Sequence, residues 1–200
     1  MMINVDVISD TFDILKRRVI VKKAALFFLI TVLITGSGQA TEILFSAKAS
    51  YFQPTEKAFK EIYGGGLKFG GAMNISAFRN FDIFVEVTYF KKSGELTYTK
   101  EETNLTVSPV FLGVQYRPRG KRIQPYFGAA AGYYSFKESN TIGDVSKSGI
   151  GFAMKTGARI FLKRVFLDVS AGFSHCKMTP ADFAINIGGI EAGIGLGIVL

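Results

Sequence analysis

Hydrophobic and polar residues alternate with a period of two along most of the chain after residue 41. This period is typical of β-strands, because successive side chains of a strand point to opposite faces of the sheet. The alternating segments are 43–52, 63–76, 80–92, 104–117, 122–136, 149–162, 165–176 and 185–200. The pattern therefore predicts an all-β fold with eight strands.

The connections between these segments alternate between short and long. Tight turns join the second segment to the third, the fourth to the fifth and the sixth to the seventh. Longer polar loops are predicted at 53–62, 93–103, 137–148 and 177–184. The first of these loops can hold a helical turn, because Pro54 can start one and TEKAFKEI has helical spacing. The alternation predicts an up-and-down meander, with periplasmic turns at one end and long external loops at the other.

The two faces of each predicted strand differ in bulk. In the last segment the even positions include Ile190, Ile194 and Ile198, whereas the odd positions from 189 to 197 are glycine apart from Glu191. A strand face in water is normally richer in lysine, glutamate and threonine, and glycine weakens strands. Rows of glycine and alanine with a few charges instead suit the narrow interior of a closed eight-stranded barrel.

The large aliphatic residues are then predicted to face lipid. An open sheet is excluded there, because the unpaired backbone groups of an edge strand cannot be satisfied in hydrocarbon. The sequence therefore predicts an eight-stranded antiparallel up-and-down transmembrane β-barrel. A soluble lipocalin-like binder, in which the two faces are reversed, is the alternative that shares the same period.

Charged residues on the inward rows are predicted to form ion pairs and hydrogen bonds, because an isolated charge in a tight interior is costly. The predicted lumen network is Lys48, Lys68, Glu86, Lys155, Arg159, Asp168 and Glu191, with Asp82 and Arg117 also assigned to the lumen. Such a network would seal the barrel. A gated ion path is the functional alternative.

Aromatic residues near the ends of the apolar rows are predicted to lie at the membrane interfaces. They are Tyr51, Tyr63, Phe81, Tyr89, Tyr116, Phe127 and Tyr133.

The first 40 residues are predicted to be an N-terminal extension plus a cleavable signal peptide. Basic residues between 16 and 23 precede an uncharged run at 24–34, and the small residues of GSGQA follow it. The run is too short to span a bilayer as a helix. The barrel domain is therefore predicted at 41–200, with an alternative translation start near Val19 or Val21.

Charge and candidate chemistry add few constraints. The net charge of the 200 residues is +8, and many of the lysines are interspersed with glutamates in the predicted loops, so nucleic acid is not an expected partner. Cys176 is the single cysteine, which excludes an intramolecular disulfide. Ser174 and His175 should point to opposite faces of one strand, and His175 with Cys176 offers too few ligands for a metal. We predict no catalytic residue, metal or cofactor, and no enzymatic activity.

Three stretches carry a family resemblance: SAKASYFQPTEKAFKEIYGGGLKFGG, IQPYFGAAAGYYSFKES and INIGGIEAGIGLGIVL. They resemble the OmpA/OmpX-like outer membrane protein β-barrel domains of Gram-negative bacteria. The resemblance implies a bacterial outer-membrane location, contact with outer-membrane lipids and lipopolysaccharide, and insertion by the barrel-assembly machinery. That machinery usually recognises a C-terminal Phe or Trp, where this chain has Leu200.

The expected protein is a monomer with a structural or surface-interaction role, such as membrane integrity or adhesion. Its surface ligand is left open. A narrow pore for small solutes is the alternative, and an outer-membrane lipid-modifying enzyme is a third reading.

Overall fold

The structure is a computed structural model, and it describes residues 42–95, 102–120, 122–140, 143–179 and 185–200. The predicted extension and signal peptide lie outside these residues. The strands are β1 Ile43–Pro54, β2 Gly66–Phe78, β3 Phe81–Glu95, β4 Glu102–Tyr116, β5 Ile123–Asn140, β6 Gly143–Leu162, β7 Val165–His175, β8 Lys177–Met178, β9 Ile185–Asn186 and β10 Gly189–Val199. One helix, α1, spans Lys57–Tyr63.

Eight long strands close into a barrel in the order β1-β10-β7-β6-β5-β4-β3-β2. All neighbours are antiparallel, and the barrel closes where β1 pairs with β10 from Leu44↔Val199 to Pro54↔Gly189. The predicted eight-stranded antiparallel barrel is confirmed. The turns after β2, β4 and β6 lie at one end, which we call the turn end. The opposite end carries α1 and the small β8–β9 hairpin, and we call it the helix end.

Two of the predicted long loops contain strand residues that extend the barrel sheet. β5 and β6 stay paired as far as Asn140↔Gly143, which makes the loop predicted at 137–148 wrong. β3 and β4 likewise pair as far as Glu95↔Glu102, inside the loop predicted at 93–103. Both extensions are polar on their two faces, so hydrophobic alternation cannot show them. Their backbone ladders continue the sheet because an antiparallel pair needs no apolar face to hydrogen-bond.

The other two predicted loops also contain regular structure. Helix α1 lies mostly within 53–62, and it delays the start of β2 to Gly66 instead of residue 63. Strand β8 lies in the loop predicted at 177–184, and β9 is separate from β10 within the predicted segment 185–200. Among the described residues, no helix combines the length and apolar character needed to cross a bilayer.

The outer face of the barrel is apolar on all eight long strands. Ile150 on β6 has 80% of its surface exposed, and Leu67, Ile194 and Leu196 are each more than half exposed. The opposite rows are buried, and they hold Asp82, Arg159 and Asp168 with no exposed surface. The predicted assignment of the two faces therefore agrees with the structure.

Small residues are needed where the interior is crowded. A Cβ added at Gly197 on β10 would overlap the ring of Phe166 on β7. This close approach accounts for the glycine row of the last strand.

Candidate functional site: the barrel interior

At the turn end, the buried carboxylate of Asp82 organises the inner side chains. It accepts hydrogen bonds from Arg117 Nε at 2.6 Å and from Gln115 Nε2 at 2.9 Å. Arg117 is itself fully buried, and its guanidinium also donates to Glu42 at 2.7 Å. Because Asp82 is the second residue of β3 and Arg117 directly follows β4, this pair joins two adjacent strands just inside the turns.

A second buried pair lies on β6 and β7. Arg159 and Asp168 face each other across the ladder, and Arg159 Nε lies 3.3 Å from Asp168 Oδ2. Tyr126 donates to the same carboxylate at 2.8 Å, and Asn74 accepts from Arg159 at 3.1 Å. Arg159 Nη1 lies 3.8 Å from Asp82, so the two buried pairs form one network.

The middle of the lumen holds the remaining charges. Glu86 accepts from Lys155 at 3.0 Å and from Lys48 at 3.3 Å, and Lys68 pairs with Glu191. The Lys155 ammonium also lies 3.4 Å from the centroid of the Phe84 ring, a favourable cation–π position. A cavity of about 20 Å³ lies among these side chains. It has room for about one water molecule.

The inner ion pairs balance in charge. Five basic and five acidic side chains form the inner pairs, and we call them the charged cluster: Lys48, Lys68, Arg117, Lys155, Arg159, Glu42, Asp82, Glu86, Asp168 and Glu191. Arg119, whose side chain is 31% exposed at the turn end, adds a contact of 3.4 Å to Asp82. The structure places all seven residues of the predicted lumen network here, each with at least one partner of opposite charge. Glu42 was not predicted, because it precedes the alternating pattern.

The helix end of the lumen is apolar, which the predicted polar lumen did not include. Its buried residues, here called the apolar cluster, are Phe52, Phe59, Tyr63, Phe84, Phe90, Leu105, Val107, Phe111, Tyr134, Phe136, Cys176, Met178 and Ile187. Aromatic rings dominate, and the pairs Phe52–Phe90 and Phe111–Tyr134 meet edge to face at 5.2 and 5.5 Å. The sequence does indicate these inward aromatic residues, because Phe84 and Phe90 lie on the inward row of β3 and alternate with outward residues.

Helix α1 covers this cluster from above. Phe59 and Tyr63 lie one turn apart on its buried face, and their ring centroids are 5.2 Å apart. The Tyr63 hydroxyl lies 3.3 Å from Thr103 Oγ1, and burial raises the pKa of this tyrosine. The outward interfacial position predicted for Tyr63 is therefore wrong, because the residue ends a helix that folds over the lumen and does not begin a strand.

The other six predicted interface aromatics are on the outer face. Tyr51, Phe81, Tyr89, Tyr116, Phe127 and Tyr133 are each between 44% and 56% exposed. At the turn end Phe81 and Tyr116 are cross-strand partners with ring centroids 5.3 Å apart, and Phe127 pairs with Tyr116 on the next strand. Their contact with membrane interfaces stays a prediction.

The residues considered for catalysis or metal binding are separated. Ser174 is buried and accepts a hydrogen bond from the Gly189 N–H at 3.3 Å, whereas His175 stacks against Phe152 with ring centroids 5.5 Å apart. Cys176 is buried in the apolar cluster, and burial raises the pKa of its thiol to about 11. Within the described ranges, no three His, Cys, Asp or Glu side chains are grouped to hold a metal ion.

This geometry defines a class: a closed eight-stranded antiparallel barrel with an apolar exterior and a filled interior. Solved structures with this fold include Neisserial surface protein A, at a TM-score of 0.60 and 14% sequence identity, covering 80% of this chain and 99% of that one. They also include Ail of Yersinia pestis, solved with the heparin analogue sucrose octasulfate. Its TM-score is 0.57 and its sequence identity is 14%, and the match covers 81% of this chain and 100% of Ail. Outer Membrane Protein W of E. coli matches with a TM-score of 0.53 and 16% sequence identity, and the match covers 82% of this chain and 100% of that one.

The comparisons confirm the predicted resemblance to small outer-membrane barrels at the level of the fold. No family model and no curated protein sequence matches the chain.

Proposed function

We propose that this chain is an integral protein of the bacterial outer membrane, with a sealed barrel and a structural or surface-interaction role. The observation that carries the proposal is the reversed polarity of the barrel. Large apolar side chains are exposed on all eight long strands, while the ion pairs are inside. Soluble monomers rarely expose a contiguous apolar patch of more than a few hundred Å². An apolar belt around a closed barrel is instead the surface that lipid requires.

The filled lumen supports a structural role over transport. Two cavities among the inner side chains have volumes of about 20 and 10 Å³, enough for about one water molecule each. Water-filled channels are a feature of barrels with many more strands. A narrow pore would require the charged cluster and the apolar cluster to separate together.

The helix end supplies the surface for contacts outside the cell in this proposal. Exposed lysines and acidic residues are mixed there, as in Lys57 and Glu61 of α1 and Lys137 and Asp144 of the β5–β6 hairpin. Short turns of such barrels face the periplasm, so the helix end would face outward. Lipopolysaccharide and phospholipids would surround the belt. The signal peptide, insertion by the barrel-assembly machinery and a monomeric state complete the proposal.

Membrane extraction tests the proposal. After cell fractionation, the protein should stay with the outer membrane in alkaline carbonate and dissolve only in detergent. The detergent-solubilised barrel should also migrate faster on a gel before boiling than after, because a closed barrel resists unfolding by detergent at room temperature. Release by carbonate without detergent would reject the membrane location and favour the lipocalin-like alternative.

A further inference from the structure

Every exposed charged side chain described in the three turns of the turn end is cationic. The β2–β3 turn carries Arg79, the β4–β5 connection carries Arg119 and Arg122, and the β6–β7 turn carries Lys163 and Arg164. Four of the five are exposed and Arg119 is half-buried. We call these five residues the basic rim.

No acidic side chain of the described residues lies free beside this rim. Glu42 and Asp82 are the acids of the turn end, and both are held by Arg117, at 2.7 and 2.6 Å. Arg119 of the rim also lies 3.4 Å from Asp82, whereas the other four rim cations form no ion pair among the described residues. Asp82 is also fully buried. The rim is therefore uniformly basic, whereas the helix end mixes both signs of charge. This asymmetry makes the turn end the surface whose exposed charges best suit an anionic partner.

Each turn places its charge directly beside the apolar belt. Arg79 follows Phe78, which is 74% exposed, and Arg122 precedes Ile123, which is 55% exposed. Lys163 and Arg164 lie between exposed Leu162 and exposed Val165. A cation at the edge of a hydrocarbon belt lies at the depth of lipid headgroups, and its long side chain can extend toward them.

The β6–β7 turn places a lysine in a backbone conformation that few side chains adopt. Lys163 has φ 61°, in the left-handed region that glycine or asparagine adopts with less strain. A lysine occupies a position where a glycine would fit the backbone better.

We propose that the basic rim binds the headgroups of anionic phospholipids in the leaflet that surrounds the turn end. The inference rests on the proposed membrane location, because only an inserted barrel brings the rim to headgroup depth. The recognised chemistry is the phosphate of a lipid with net negative charge, such as phosphatidylglycerol. Rim and belt would together hold an annulus of such lipids, with acyl chains on Phe78, Leu162 and Ile123.

Spin-label electron paramagnetic resonance tests this inference on the refolded protein in phosphatidylcholine vesicles. Trace spin-labelled phosphatidylglycerol and spin-labelled phosphatidylcholine are compared, and the motionally restricted fraction measures association with the barrel. The wild type should prefer phosphatidylglycerol by at least about twofold, since each basic residue near the surface attracts anionic lipid. The preference should fall as salt is added.

The rim variant carries Arg79→Gln, Arg122→Gln, Lys163→Gln and Arg164→Gln, and it should lose the preference. A matched control removes four exposed lysines of the helix end, with Lys57→Gln, Lys91→Gln, Lys137→Gln and Lys147→Gln, and it should keep the preference. Heat-modifiable gel mobility establishes that both variants are folded.

The outcomes separate the two proposals. If no restricted component appears with either lipid, the membrane location itself fails. A restricted component without preference in the wild type, or equal loss of preference in both variants, overturns the basic rim as a lipid site. Rim-dependent sedimentation with peptidoglycan in the absence of lipid preference also overturns it, in favour of an anionic polymer.

Discussion

The two halves of the barrel interior are sealed by different means. From the turn end to the middle of the lumen, the charged cluster fills the interior, and Asp82, Arg117 and Arg159 have no exposed surface. At the helix end, the lumen beneath α1 is filled by aromatic rings such as those of Phe52 and Phe90. The comparison shows that eight strands can close around either kind of filling. What differs is the consequence of removing one member, because a buried charge left alone costs more than a small void.

The largest expected effect is therefore at the turn end. Asp82→Ala should lower the free energy of unfolding by about 3–5 kcal/mol, because it leaves two buried guanidinium groups without their shared partner. Urea unfolding in detergent, followed by far-ultraviolet circular dichroism, measures the change. The matched control is Asp144→Ala at an exposed position of β6, for which the free energy of unfolding should fall by less than about 1 kcal/mol. Equal effects of the two substitutions would contradict the account of the charged cluster.

A smaller effect is expected in the apolar cluster. Phe90→Leu keeps an apolar side chain but loses the ring contact with Phe52, and it should cost about 1–2 kcal/mol in the same unfolding measurement. Phe69→Leu on the outer face is the control, since its side chain is 55% exposed in the structure. It should change the free energy of unfolding by less than about 0.5 kcal/mol. A larger loss for Phe69→Leu would show that the apolar cluster does not stabilise the helix end.

The attachment of α1 gives a smaller and more local effect. Tyr63→Phe removes the hydroxyl that meets Thr103 at 3.3 Å and keeps the ring in the apolar cluster. The expected loss is about 0.5–1.5 kcal/mol, the usual net value of one hydrogen bond. Limited proteolysis between β1 and β2 should become faster in Tyr63→Phe than in the wild type. Unchanged cleavage would mean that ring packing alone holds the helix.

The reactivity of the Cys176 thiol tests the packing of the apolar cluster without a measurement of stability. With a thiol pKa of about 11, the reactive thiolate is a minor species at pH 8, and the side chain is buried. A maleimide reagent should react slowly with the folded protein, and the rate should rise about tenfold per pH unit between pH 8 and pH 10. Ser146→Cys in a Cys176→Ser background provides an exposed control on β6. Equal rates for the two thiols would contradict burial of Cys176.

The outer architecture could be predicted from the sequence because a period of two is a local property. Ile150, Ile194 and Leu196 point outward simply because they alternate with small or charged residues. The lumen charges followed from the same rows, since an isolated charge in a tight interior is costly and charges of opposite sign lie on neighbouring inward rows.

Features that depend on closure of the barrel could not be predicted in the same way. Two buried pairs, Asp82–Arg117 and Arg159–Asp168, are joined by the contact between Arg159 and Asp82. This contact requires β3 and β6 to approach each other across the lumen. The burial of Tyr63 requires α1 to fold inward over residues that are distant in sequence. The extension of β5 to Asn140 depends on pairing and not on an apolar face.

Planar-bilayer conductance tests the central claim most directly, because a lumen filled at both ends has no continuous path for ions. Purified wild-type barrel, shown to be inserted by its heat-modifiable mobility, should give no steady current above that of the bare bilayer. A reproducible open-channel current from the wild-type protein would contradict the sealed interior.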